Sequence, residues 1–92
     1  MQLLFTPIHI GKLEVKNRIV LPPMGTGLGT EDGQVTKRMI NYYEERAKGG
    51  VGLIIVEISA VERRGRASRE LLVDHDRFID GLQRLARAIQ RH

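Results

Sequence analysis

Residues 36–56 read TKRMINYYEERAKGGVGLIIV, and this stretch decides the fold class. Met39, Ile40, Tyr43 and Ala47 recur at spacings of one, three and four, which puts them on one side of a helix of about three turns. Thr36 stands where an N-cap belongs, and Gly49-Gly50 supplies the stop. Val51 to Val56 follows at once, rich in β-branched residues and without polar alternation, the pattern of a parallel strand covered on both faces.

Working towards the N-terminus, Ile19-Val20-Leu21 is a short apolar run stopped by Pro22-Pro23, which cannot donate ladder hydrogen bonds. It is expected to be the first buried strand. The apolar runs Leu3 to Phe5 and Ile8 to Ile10, with the alternating Leu13-Glu14-Val15 after Gly11-Lys12, read together as a hairpin.

Towards the C-terminus a polar loop, Glu62 to Arg69, precedes Asp74-His75-Asp76. Phe78, Ile79, Leu82, Leu85, Ala86 and Ile89 are then expected on one face of a second helix, with acids early and arginines late as the helix dipole favours. The order is hairpin, β, α, β, α, and such alternation implies an α/β fold with a parallel sheet. Two strands and two helices cannot cover both faces of such a sheet, so the expectation is the beginning of a larger sheet or barrel. The last residues, Ala88 to His92, carry no helix terminator, which adds to that expectation.

The chain has 92 residues, 41% hydrophobic and 28% charged, ordinary for a globular domain with a modest core. It contains no cysteine, which excludes disulfides and thiolate metal sites within it and agrees with a cytoplasmic location. The N-terminus lacks the basic and apolar regions of a secretory signal, and no apolar run is long enough for a membrane span. The net charge of +4 raises nucleic acid as a partner, but only Arg63, Arg64, Arg66 and Arg69 cluster, without aromatic residues for stacking, so no nucleic-acid partner is expected.

The glycine-rich stretch IVLPPMGTGLGTEDG, residues 19–33, invites a phosphate-loop reading. Gly25 and Gly27 fit the first two positions of GxGxxG, but Thr30 occupies the third; from Gly27 and Gly29 the third is Asp32. Glu57, at the end of the second strand, stands where a ribose-binding acid would. About a dozen residues separate Met24 from the helix, however, too many for a turn that aims a helix N-terminus at a pyrophosphate. The alternative is a βα connection rich in glycine because it must turn. Gly11-Lys12 does not complete a Walker A motif, and His9, His75 and His92 lack metal-ligand spacing, so no metal site is expected.

In order, LFTPIHIG, KNRIVLPPM, DGQVTKRMINYYEERAKGGVGLIIVE and RGR closely resemble the start of the Old Yellow Enzyme family of flavin oxidoreductases, in the branch of NADH:flavin oxidoreductases and 2,4-dienoyl-CoA reductases. Asn17-Arg18, Pro23-Met24, Tyr43 with Arg46-Ala47, and Gly50-Val51-Gly52 carry the signature. The resemblance implies the N-terminal portion of a single FMN-binding (βα)8 TIM-barrel domain: a hairpin over 1–16, the first βα unit over 17–50 and the second over 51–92. It also implies that Pro23, Met24 and Gly25 line the flavin, with a backbone N–H near Gly25 facing its reactive edge. Ile58 falls where relatives carry a small residue against the ring. None of these is expected to be a catalytic residue.

The implied activity is that of an FMN-dependent NAD(P)H oxidoreductase of ene-reductase type, reducing the activated C=C bond of a small enone or enoyl-CoA. Such an enzyme is compatible with a homo-oligomer. By the same resemblance, the substrate-binding histidines, the proton-donating tyrosine, the arginines for the FMN phosphate and any iron-sulfur cluster belong to the region beyond His92. The 92 residues alone are therefore expected to be inactive, the alternative being a non-catalytic, self-associating barrel fragment. The arginines Arg63, Arg64 and Arg66 are expected either in a solvated loop or as attractors of an anionic substrate such as an acyl-CoA.

Overall fold

Thr36 starts the first helix as its position predicts. Its backbone is extended (φ −106°, ψ 163°) and its hydroxyl accepts the N–H of Met39 at 3.1 Å. In the computed structural model, which describes residues 2–92, this helix, α1, spans Lys37–Lys48. Met39, Tyr43 and Ala47, four residues apart, form its buried side. Gly49 and Gly50 close it by donating to the carbonyls of Glu45 (3.1 Å) and Ala47 (3.0 Å).

The hairpin forms from β1 (Ile8–Ile10) and β2 (Leu13–Val15), antiparallel, with Ile10 opposite Leu13 across the Gly11-Lys12 turn. Leu3 to Phe5 does not join it as a strand. It lies in a 3-10 turn, Gln2–Phe5, closed by the N–H and hydroxyl of Thr6, which both donate to Leu3 O before Pro7 removes the next donor. Met1, included in the expected hairpin unit, lies outside the described residues.

The two apolar runs pair as expected. In β3 (Val20–Leu21) and β4 (Leu53–Ile54), Val20 aligns with Leu53 and Leu21 with Ile54, in parallel. Backbone bonds from Gly52 to Ile19 O and from Ile55 to Leu21 O, both 3.0 Å, continue the ladder at either end. Gly52 is required here by close approach: a Cβ would lie 2.5 Å from Asn17 Oδ1 and 2.6 Å from Asn17 O. Asn17 itself ties the strand to the end of α1, donating to Gly50 O at 2.7 Å and accepting the Ile19 N–H at 3.0 Å.

The strand alternation sends Leu21, Ile54 and Val56 to the helices and leaves Val20 and Ile55 each 46% exposed. The expectation that β4 is covered on both faces is therefore met on one face only within this chain.

A third strand pair, β5 (Ser59–Ala60) parallel to β6 (Leu71–Leu72), has no counterpart in the sequence reading. The arginine loop is the excursion between its two strands. Leu71 and Leu72 are fully buried.

The second helix, α2, spans Ile79–Gln90 and follows a 3-10 turn at Asp76–Phe78. Its buried side is Phe78, Gly81, Leu85 and Ala88, with Leu82 and Ile89 partly buried. Ile79 is 57% exposed and Ala86 is also exposed. Each stands one residue, about 100° of helix, past a buried neighbour, which corrects the expected face. Val35, Met39, Tyr43, Leu71 and Leu85 make the main core, between the helices and the outer face of β3 and β4.

Candidate functional site

The C-terminal ends of the parallel strands β3 and β4 bring the two sequence-predicted segments together. Gly25 and Gly27 follow β3, Glu57 and Ile58 follow β4, and with Ser68, Arg69 and Glu70 they line a cavity of about 210 Å3. Of the four expected cofactor-binding residues, Gly25 and Ile58 share this cavity, and Ile58 is 62% exposed. Pro23 and Met24 end the strand beside it without lining it, Met24 being half exposed. The space around Gly25 is open: a Cβ there would meet nothing within 4 Å. A larger groove, about 670 Å3, has Lys37, Ile40, Arg84, Arg87 and Arg91 among its lining, all from the two helices and none from a strand end.

One lining residue, Glu57, belongs to a buried polar network that sequence reasoning missed. The Glu57 carboxylate accepts the Thr26 hydroxyl at 2.7 Å, the Thr26 N–H at 3.3 Å and the Tyr43 hydroxyl at 3.0 Å. The Glu57 N–H in turn donates to the Tyr43 hydroxyl at 3.0 Å, and the Leu28 N–H donates to the Thr26 hydroxyl at 3.1 Å. Glu57 is buried and its carboxylate is engaged by Thr26 and Tyr43 rather than left open to a ribose. Burial, with the Glu57 carboxylate as a lesser cause, pushes the Tyr43 phenol up to about 12 from its ordinary 10.0. Tyr43 thus packs in the core and also bonds Glu57, which follows β4.

The glycine-rich loop is held by the arginine loop. Arg66 donates to three carbonyls: Thr30 O at 2.7 Å, Glu70 O at 2.6 Å and Glu31 O. Arg69 donates to Gly29 O at 3.3 Å and lies 3.6 Å from the Glu31 carboxylate. Gly33 meets the same segment closely. With φ +90° it adopts backbone that side chains rarely take, and a Cβ would lie 2.8 Å from that of Leu72. The N–H of Leu72 donates to Gly33 O at 3.1 Å.

The arginines expected to attract an anion therefore divide. Arg66 is committed to backbone carbonyls, whereas Arg64 is exposed and pairs with Glu62 at 2.5 Å. Nearby, hydrogen bonding from Thr30, with help from Arg77, holds Asp32 below its usual carboxylate range, and His75 does the same for Asp74. Among the described residues there is no cluster of metal-ligating side chains, and no helix is long and apolar enough to cross a membrane.

Residues 3–92 match the model of the NADH:flavin oxidoreductase / NADH oxidase family. The chain is 44% identical over 91 residues to the NADH oxidase of Thermoanaerobacter brockii, a match covering 97% of this chain and 14% of that protein. Among solved structures, a 2-naphthoyl-CoA reductase in complex with 2-naphthoyl-CoA superposes with a TM-score of 0.95 at 30% identity, over 98% of this chain and 14% of that one. The Old Yellow Enzyme from Pichia sp. AKU4542 superposes with a TM-score of 0.88 at 31% identity, over 97% of this chain and 23% of that one. The chain thus spans well under a third of the length of these relatives. With nearly all of its residues matched by the family model and its architecture shared with an Old Yellow Enzyme, the chain belongs to the NADH:flavin oxidoreductase / NADH oxidase family.

Proposed function

We propose that the chain forms the N-terminal hairpin and first two βα units of a (βα)8 barrel, and contributes one wall of an FMN site to an NAD(P)H-dependent ene-reductase. The observation that carries this reading is the meeting of Gly25 and Ile58 at one open cavity on the C-terminal ends of adjacent parallel strands. Barrel enzymes place their chemistry at that end.

The residues present fit one edge of a flat heteroaromatic ring. Among the described residues the Gly25 N–H donates to no protein acceptor, so it is free to bond such an edge. Ile58 offers an apolar flank, and the absence of a side chain at Gly25 lets the ring approach the backbone. The cavity of about 210 Å3 falls short of the roughly 300 Å3 at which ligand pockets begin, in keeping with one wall of a site completed by other strands.

Bound there, FMN would supply hydride transfer between NAD(P)H and the β-carbon of an activated alkene, such as an enone or an enoyl-CoA. The part of this chain is to orient the ring and to present a fixed backbone donor to the edge that gains electron density on reduction. Pro22 and Pro23 restrict the segment that carries the donor.

The experiment is purification of the complete barrel protein that carries these residues. Stoichiometric FMN retained through gel filtration, with NAD(P)H oxidation dependent on an added enone, is the expected result. A protein that holds no flavin overturns the reading. The 92 residues alone are expected to show no turnover; light scattering on them tests the alternative of a self-associating module, which a monomer at all concentrations would eliminate.

A further inference from the structure

We infer that Glu57 is a positioning residue for this site: its buried carboxylate fastens the Gly25-Thr26 segment to the end of β4 and fixes a negative charge at the cavity wall. The inference rests on the flavin reading for its electrostatic consequence, and on the geometry alone for the fastening.

Gly25 and Ile58, which line the cavity, are the chain neighbours of Thr26 and Glu57, which are joined to each other; Glu57 itself also lines the cavity. A displacement of the Thr26–Glu57 contact therefore moves both wall positions at once. Among the described residues no other hydrogen bond holds the backbone from Pro22 to Thr26, so the placement of the Gly25 N–H depends on the carboxylate.

Three donors converge on the Glu57 carboxylate, the N–H and hydroxyl of Thr26 and the hydroxyl of Tyr43. Stability does not call for such a group, because replacing a buried charged group and its partners by well-packed apolar residues is often neutral or favourable. A fixed anion in the ring-facing wall has a functional effect instead. It opposes the negative charge that a flavin gains on reduction, and so holds the reduction potential down while the Gly25 donor pulls it up.

Glu57→Gln separates charge from geometry. An amide oxygen can keep the two shorter bonds now made by Oε1, from Thr26 Oγ1 and Tyr43 OH, and gives up only the 3.3 Å contact at Oε2. In the complete flavin-loaded protein, E57Q is expected to retain stoichiometric flavin and to shift its reduction potential upward. An unchanged potential in E57Q with flavin bound overturns the electrostatic role. Amide hydrogen exchange on the flavin-free protein reads the fastening independently: exchange at position 26 should quicken in Glu57→Ala and in Thr26→Val, and by less than in Glu57→Ala in E57Q, which gives up the bond of that N–H but keeps the hydroxyl bond.

Exchange at position 26 that is the same in all variants overturns the positioning role. Should E57A fail to fold, T26V carries that arm. A wild-type protein that binds no flavin overturns the functional reading and the electrostatic role with it, while the exchange result still decides the fastening.

Discussion

Tyr43 and Glu57 are joined by two hydrogen bonds of 3.0 Å in opposite senses, the phenol donating to the Glu57 carboxylate and accepting the Glu57 N–H. Helix α1 and the end of strand β4 are thereby bolted together through one side chain. Tyr43→Phe keeps the ring volume and removes both bonds, leaving a buried N–H unpaired. A loss of about 1–3 kcal/mol in stability is expected from urea unfolding. The phenol, raised to about 12 by burial, holds its proton more tightly in the folded state than in the unfolded one. Its contribution is therefore complete below about pH 10 and is lost as the pH rises towards 12. Stability measured across that window should fall less steeply in Y43F than in wild type; parallel curves would show that the phenol does not drive the alkaline loss.

Two glycines test the packing in opposite directions. A methyl group on Gly52 would strike Asn17 Oδ1 at 2.5 Å and the Asn17 carbonyl oxygen at 2.6 Å, the latter backbone that cannot yield cheaply. Gly52→Ala should cost about 1–3 kcal/mol or more, the usual range for overpacking. Gly25→Ala meets open space and should leave the melting temperature of the protein near wild type. Because its methyl would enter the cavity, G25A should instead weaken FMN retention in the complete protein. A stable G25A with unaltered FMN affinity would remove Gly25 from the proposed wall.

Much of this architecture is legible in the sequence where local chemistry repeats or punctuates. Thr36 and Gly49-Gly50 mark the ends of α1, and the apolar runs around Val20 and Leu53 announce the parallel pair. The pair β5 and β6 is not legible, since strands of two residues carry no alternation and stand on either side of an arginine-rich loop. At the site, the resemblance leads to Gly25 and Ile58. Glu57 is visible only as an acid at a strand end, because its partners Tyr43 and Thr26 lie 14 and 31 residues away and no local spacing reports such contacts. The role of the glycines is hidden for the same reason. Gly33 answers to Leu72, far along the chain.

The arginine loop should separate into a brace and a surface. Arg66 holds three carbonyls of the glycine-rich loop and its neighbour, so Arg66→Ala should speed amide exchange and proteolysis over residues 25–33. Lysine cannot restore the forked geometry, and Arg66→Lys should rescue only partly. Arg63→Ala with Arg64→Ala should leave that loop unchanged. If these two attract an anionic substrate, the double variant of the complete enzyme raises KM for an acyl-CoA and leaves KM for a neutral enone unchanged. Equal effects on both substrates would assign the loop to structure alone.

The buried side of α2 makes a final test, since its pattern departs from the one expected. Leu85 is 2% exposed and belongs to the core with Met39, Tyr43 and Leu71, so Leu85→Ala opens a cavity among residues that cannot close over it. A cost of about 2–5 kcal/mol follows from truncation at such a position. Ile79 is equally apolar but 57% exposed. Ile79→Ala should change stability by less than about 1 kcal/mol, because little of its surface leaves water on folding. Measured in the same urea series, a cost at Ile79 equal to that at Leu85 would mean that the helix is rotated by one residue, with Ile79 and Ala86 turned to the core as the bare sequence pattern has them.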